Sequence, residues 1–515
     1  MKKGLFILSL FSFLSVQAQE IKGICGMTAE HQHAYDDRLI ANLAAVESGI
    51  AADRGGVQYV PVFFHLTADG TGSGRAREFK ALEGLCGLNA AFEPTGIQFY
   101  LSPHPTLGLF DKTISNTNVY TNQFNELLMN LKRHQNAINF FIVNECDYGS
   151  NPQGGTILAY YSPGRDWVVC RKDELTALAN NSTLPHETGH FFSLQHPFIG
   201  WEESNGFGPG YPGWPIAPVT APGGGPTEKM DGSNCTVAAD KICDTPPDYK
   251  FAWFAANCAP YNGGAKDPMG VLVDPMENNM MSYWDACSTY QFTPLQSAAM
   301  SADLSQNDRN YLDNSFTPPS LTVESPTDLL VSPANSATVP FYNSVQLTWN
   351  AAPGATHYLV EIDETPGYVT ANLQIFITTN TSLALTNLNA NDNYYWRVKP
   401  FNYYATCAPF KSRSFKTSNV ATATVDIEGL EAWQVAPNPV EGNQASLIVH
   451  TNSGFEANVQ IVDAAGKLVS NLQTVPFAEG ANTVELPLDG LANGFYFVVL
   501  DNGKARDVRK MVVAK

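Results

Sequence analysis

Positive charge is scarce in this chain. Lys and Arg together number 30 against 49 Asp and Glu, a formal net charge of -19 over 515 residues. A chain so acidic is a poor candidate for binding nucleic acid or an anionic membrane. Long apolar runs are missing as well. Beyond the first residues no stretch of about 20 apolar residues occurs, so nothing there is long enough to span a bilayer. The early run, Leu5 to Leu14, is itself too short to span and has no stop-transfer flank. Lys2 and Lys3 precede it and Val16-Gln17-Ala18 follows, the pattern of a signal peptide (1–18) cut after Ala18. No cysteine stands at that point, which argues against a lipid anchor. What is present suits an exported globular protein. Apolar residues make up 44% of the chain, enough to bury cores, and the length suggests about three domains.

Nine cysteines in an exported chain permit disulfides, and the odd count leaves at least one thiol unpaired. Cys25 lies near the new N-terminus, followed by Gly26. Cys146 and Cys170 bracket a short strand-like stretch, and Cys235, Cys243, Cys258 and Cys287 cluster further on. Spacing alone does not decide which pairs with which.

Residues 19–54 are polar and weakly periodic and read as a prosegment. From residue 55 the pattern changes. Strand-like runs fall at Val57–Leu66, Ile97–Leu101, Ala137–Val143, Ile157–Tyr161 and Trp167–Cys170. Helical spacing appears over Arg75–Phe92, Thr183–His190 and Thr293–Leu304. Alternating strands and helices over 55–316 predict an α+β domain, a twisted mixed sheet backed by helices. A Gly/Pro-rich stretch, 200–232, predicts a long loop. Short alternating strands over 320–418 and again over 426–515 predict two all-β sandwiches.

Residues 186–196 read HETGHFFSLQH. His186 and His190 are four apart, so a helix puts both imidazoles on one face, with Glu187 beside them. Ser182 or Thr183 can cap this helix, and Pro185 falls in its first turn, where a missing N–H costs little. His196 is too far along for the same face, so the chain must turn back after about Ser193 to bring it in. Three neutral imidazoles with a fourth position open to water are the catalytic arrangement for zinc. Glu187 can then take a proton from that water and pass it to a leaving amine. A chance HExxH in a core helix is the competing explanation, and the third His at this spacing weighs against it.

This stretch resembles the metzincins, with HExxHxxGxxH followed by a Met-turn at Asn278-Asn279-Met280-Met281-Ser282-Tyr283. Within them it looks most like the pappalysin (cytophagalysin) family. The matching elements are Gly189 in the His-Glu-x-Gly-His start, Asp244-Thr245-Pro246, Asn279 to Tyr283, Cys287, and Phe292-Thr293-Pro294-Leu295-Gln296. The resemblance implies a secreted zinc endopeptidase in which Met281 packs beneath the ligands and Tyr283 stabilises the tetrahedral intermediate. It also implies a Cys258–Cys287 disulfide. It implies a cysteine switch at Cys25, the prosegment thiolate taking the open zinc position of a zymogen. It implies calcium (Ca2+) near Asp240, Asp244 and Thr245, and an S1′ pocket lined by Asp285 that accepts a basic P1′ residue. Asp53-Arg54 then becomes a self-maturation site. Two departures stand out. The family's Gly before the third His is Ser193 here, and a non-Gly residue at positive φ costs on the order of 1 kcal/mol. The segment between His196 and Asp244 is also longer than the family's.

The first sandwich resembles a fibronectin type III module, with Trp349 as a core residue and Tyr394 to Val398 as a late strand, and it reads as a spacer. The last region carries Ala436-Pro437-Asn438-Pro439, Gly466-Lys467, Gly494-Phe495-Tyr496 and Arg509-Lys510-Met511-Val512-Val513. It resembles the C-terminal sorting domain of the type IX secretion system. That resemblance implies the type IX machinery as a partner and release outside the cell or attachment to its surface. The competing readings for the whole chain are a catalytically inactive binding protein that keeps the fold and a surface adhesin.

Overall fold

A computed structural model describes residues 29–515 except 50–55, 124, 147–156, 179, 203–215, 251–257, 313–314, 421–426, 464–466 and 504. The signal sequence, Cys25 and the Asp53-Arg54 site lie outside the described residues. The chain is multidomain and rich in β-sheet.

The first described element is a helix, α1 (Ala29–Glu47), in a stretch whose sequence is polar and weakly periodic. A sheet follows from β1 (Gln58–Leu66), β2 (Ile97–Leu101), β3 (Ile138–Val143), β4 (Ala159–Ser162) and β5 (Trp167–Arg171), in the order β2-β1-β3-β5-β4. All neighbours are parallel except β4, which runs antiparallel to β5 at one edge. Strands such as INFFIV are buried along their whole length, as expected of a parallel sheet covered on both faces. The helices are α2 (Glu78–Phe92), two short ones, α3 (Thr117–Tyr120) and α4 (Glu126–Lys132), then α5 (Thr183–Phe191) and α6 (Pro294–Leu304). Leu82, Leu85 and Leu88 of α2, Leu184 and Phe191 of α5 and Met300 of α6 share one core with Phe64, Phe99 and Phe140 of the sheet.

That sheet buries a polar cluster on its interior strand β1. His65 of β1 is fully buried, and its Nδ1 lies 2.9 Å from Asp111 Oδ2 and its Nε2 2.9 Å from Asn139 Oδ1. Asn139 spends its amide protons on the His134 and Ala137 carbonyls, so its oxygen can only accept. Both ring nitrogens therefore face oxygen atoms that can accept from them. Burial pushes the Asp111 carboxyl up, but the hydrogen bond and charge of His65 and the bonds from Thr113 bring it below the usual range. Replacing His65 with Leu strands a buried carboxylate and should cost about 3–5 kcal/mol. Urea unfolding checks this, and a loss under about 1 kcal/mol would show that the pair contributes little beyond its packing.

The first sandwich has sheets β10-β9-β12-β13-β7 and β11-β8-β6. These are β6 (Leu330–Ser332), β7 (Ala337–Val339), β8 (Val345–Trp349), β9 (His357–Asp363), β10 (Gln374–Thr378), β11 (Ser382–Leu385), β12 (Asn393–Phe401) and β13 (Lys411–Thr417). Trp349 and Trp396 sit in its core. It is tied to the first domain, not spaced from it, so the spacer expectation needs correction. A disulfide joins Cys86 of α2 to Cys407. Leu101 N, on the edge strand β2, donates to Tyr403 O at 2.7 Å. Thr406 Oγ1 donates to Leu82 O at 2.8 Å and Tyr404 Oη to Gln98 Oε1 at 2.9 Å. Leu359 and Phe401 enter the core of the first domain. The physical reason is the edge itself: an unpaired strand end is a liability, and the sandwich covers it.

The last region packs β14-β15-β18 against β17-β16-β19-β20, around a separate core that includes Trp433, Leu447, Ile461, Val498 and Met511. Its strands are β14 (Leu430–Ala436), β15 (Ser446–Thr451), β16 (Phe455–Asp463), β17 (Leu468–Phe477), β18 (Gly480–Glu485), β19 (Gly494–Asp501) and β20 (Arg506–Val513).

Candidate metal centre

α5 carries His186, Glu187 and His190, all buried. Its N-terminus differs from expectation in one detail. Ser182 makes no side-chain cap, and the Thr183 hydroxyl donates to Glu174 Oε2 at 2.8 Å instead. After Phe191 the chain reverses. Leu194 N donates to Gly189 O at 3.1 Å, and Ser193 takes φ 68°, a left-handed conformation. This turn returns His196 to the two helical histidines.

The three Nε2 atoms lie 3.2, 3.2 and 3.1 Å from one another. The contact between His186 and His190 is not a hydrogen bond. His186 Nδ1 donates to Met280 O at 2.9 Å and His190 Nδ1 to Leu194 O at 2.7 Å, so the protons of both rings are on Nδ1. The Nε2 atoms of His186 and His190 then point lone pairs at the same space, which is repulsive unless a cation fills it. A tetrahedral zinc with Zn–N about 2.0–2.1 Å sets its ligand nitrogens about 3.3 Å apart, so the donor set fits. Among the described residues this is the one group of three His, Cys, Asp or Glu that could hold a metal ion. Burial pushes His186 down to about 4, and burial with the neighbouring imidazoles holds His190 well below the ordinary histidine range. Burial, His186 and Lys250 do the same for His196. All three are thus neutral, as a metal ligand must be. Sequence reading missed Glu202, whose Oε1 lies 3.7 Å from His196 Nδ1, the position of an outer carboxylate on a ligating histidine. No periodic signal marks it.

The remaining motifs knit together around this centre. Asn279 Oδ1 accepts from Met281 N at 2.8 Å, and its amide donates to Gln296 Oε1 at 3.1 Å. Gln296 also completes a capping box with Thr293 at the start of α6. Met281 is fully buried, and a Cβ at Gly189 would meet its Sδ at 2.4 Å. A side chain at this position would force the methionine thioether to shift where it lies against α5. The Tyr283 ring is 4.9 Å from that of His196 and 5.7 Å from that of His186. A cleft of about 280 Å³ opens beside the histidines, lined among others by Ala159, Glu174, Glu187, Tyr283, Asp285 and Tyr290. Among the described residues its lining has three carboxylates and no Lys or Arg. Glu174 is a further residue that sequence reading missed.

Disulfides join Cys258 to Cys287 and Cys235 to Cys243, while Cys146 and Cys170 are free and buried. The calcium expectation meets a different arrangement from the one proposed for it. Asp244 is committed elsewhere: its oxygens accept from Thr293 Oγ1 at 2.6 Å and Leu295 N at 2.8 Å, because helix α6 needs its first N–H groups satisfied. Asp240 is fully buried and accepts from Thr245 Oγ1 and Ile242 N, both at 3.0 Å. Burial pushes it to about 7 despite those bonds. Glu228, absent from the sequence reading, is pushed by burial and by the charge of Asp240 to about 9. Its Oε2 and Thr227 Oγ1 are buried without a hydrogen bond. Orphaned oxygens beside a buried carboxylate suit a hard cation.

Residues 434–514 match the family model of the secretion system C-terminal sorting domain. That match indicates export by the type IX route to the cell surface or beyond. No curated protein matches the chain. Among solved structures it is similar to the FN1-FN3 domains of chicken CNTN1, at 15% identity and a TM-score of 0.17, covering 38% of this chain and 65% of that one. It is also similar to the fn3 domain of human collagen alpha-1(XX), at 18% identity and a TM-score of 0.15, covering 19% of this chain and 93% of that one. Among the described residues no helix is long and apolar enough to cross a membrane.

Proposed function

We propose that this chain is a zinc-dependent endopeptidase of the metzincin type, exported and directed by its C-terminal domain. The observation that carries the reading is the convergence of three neutral imidazoles whose outer nitrogens are committed or flanked by acceptors. Zinc, when bound, polarises the scissile carbonyl and acidifies a water. Glu187 takes the proton of the attacking water and delivers it to the leaving amine. Tyr283 supplies a donor to the developing oxyanion. The terminal strand β4 lines the cleft and offers a main-chain edge on which an extended peptide can lie. Asp285 and Glu174, two carboxylates in the lining of the cleft, favour a basic P1′ side chain.

The test is elemental analysis and casein digestion. The purified protein should carry zinc, a chelator should abolish cleavage, and zinc should restore it. Cleavage untouched by the chelator would remove the metal from the mechanism. Wild-type protein that never cleaves would favour the inactive adhesin or binding protein.

We also assign a calcium role to Glu228, Asp240 and Thr245. Without a cation, both carboxyls are protonated in the fold at pH values where the unfolded chain has lost those protons. Their folded pKa values are raised, so stability falls as pH rises from the ordinary carboxylate range toward about 9. Calcium should therefore raise Tm strongly at pH 8 and little at pH 5, and Glu228→Gln should remove most of the difference. Equal shifts at both pH values, measured by calorimetry, would count against the site.

A further inference from the structure

The helix α1 lies in the region that reads as a prosegment, yet it is built into the zinc turn. Leu39 is fully buried in the core of the first domain, and Leu43 packs against that core. Asn42 is fully buried and satisfied at every polar atom. Its amide donates to Ser193 Oγ at 2.8 Å and Asp303 Oδ1 at 2.9 Å, and its oxygen accepts from Gln306 Nε2 at 2.9 Å. Asp36 accepts from Gln195 Nε2 and from Lys241 Nζ, the latter at 2.9 Å. Arg38 bridges Asp303 at 2.5 Å and Asp308 at 2.7 Å.

Ser193 and Gln195 are the turn that brings His196 home. The serine that replaces the family's glycine thus has a use: its hydroxyl is the contact point for α1. Glycine in its place would leave one amide proton of Asn42 buried without an acceptor. Removing the helix would strip Asp303 of Arg38 and Asn42, leaving Arg309 Nε at 2.9 Å among its partners. It would also leave the hydroxyl of Ser193 and the amide of Gln195 to find new partners at a buried turn.

We propose that α1 is a permanent part of the catalytic unit. A cut in the linker at 50–55 leaves it seated, and Asn42 and Asp36 are positioning residues that hold the turn carrying His196. The positioning role rests on the zinc reading above, whereas the seating of the helix does not.

The experiment uses the full chain carrying Glu187→Ala, to stop self-cleavage, with a site-specific protease sequence in place of residues 50–55. After cutting, the fragment containing α1 should co-elute with the remainder on gel filtration and separate only in denaturant. Zinc affinity, measured by competition with a chromogenic chelator, should fall about tenfold in Asn42→Ala and Asp36→Ala. It should be unchanged in Asp37→Ala, at an exposed position of the same helix. Should Asn42→Ala not fold by circular dichroism, Asp36→Ala at its partly exposed site carries the affinity test. A fragment that elutes alone overturns the seating of α1. Zinc binding as tight as the parent's in both variants overturns the positioning role. If the parent chain takes up no zinc, the metal reading fails with the positioning role, and co-elution alone decides whether the helix stays.

Discussion

Replacing Glu187 with Ala should lower peptide hydrolysis by about 10²–10⁴-fold while leaving zinc content unchanged. The separation of the two effects is the point. Glu187 is not among the three converging ligands, yet it lies beside His186 on α5, is 2% exposed and lines the cleft. A group so placed can reach a water on the open side of the metal without holding the metal itself. On the mechanism proposed above, loss of the carboxylate removes the proton acceptor of the addition step and the donor to the leaving amine. The imidazoles stay where the Met280 and Leu194 carbonyls hold them. Initial rates on casein and zinc by elemental analysis give both readouts. A variant that cleaves like the wild type would sink the assigned mechanism. One that loses its zinc would reassign Glu187 to building the site.

The double replacement of Cys86 and Cys407 by Ala should lower stability by about 4–5 kcal/mol. The bond closes a loop of sequence separation 321, so the reduced chain regains a large unfolded-state entropy. It also ties α2, which packs in the same core as α5, to the loop after β12. With the bond present, we expect the first domain and the first sandwich to unfold together, because Leu359 and Phe401 already share that core. Without it, calorimetry should show an earlier and broader transition. Zinc content at 25 °C should be retained, since the ligands lie on α5 and the following turn. An unchanged unfolding temperature would mean that the interface alone holds the two units together.

The chemistry of the candidate site was legible because it is local. His186, Glu187 and His190 lie within one turn and a half of helix, so helical periodicity alone aligns them. The positive φ of Ser193 was legible only through the resemblance, which puts a glycine at that position. Strand positions from Gln58 to Arg171 were legible because a sheet buried on both faces must be written in continuous apolar runs. The helix at 29–47 was not. Its docking face is carried by Asp36, Arg38 and Asn42 as much as by Leu39, and polar docking leaves no hydrophobic period to read. The second acidic group beside Asp240 was also hidden: Glu228 stands in a Gly/Pro-rich stretch where no periodicity says which side chains turn inward.

By itself the sequence determined which histidines could gather and their order, the strands that would be buried and the sorting signature at the end. Each is a property of neighbours along the chain. Tertiary structure decided that Asp244 accepts from Thr293 and Leu295 at the start of α6, and that Glu228 is buried within reach of the charge of Asp240. It also decided that Cys86 finds Cys407 and that α1 grips the turn before His196. Those pairings join residues distant in sequence, and their energies come from desolvation and burial, which exist only once the chain has packed.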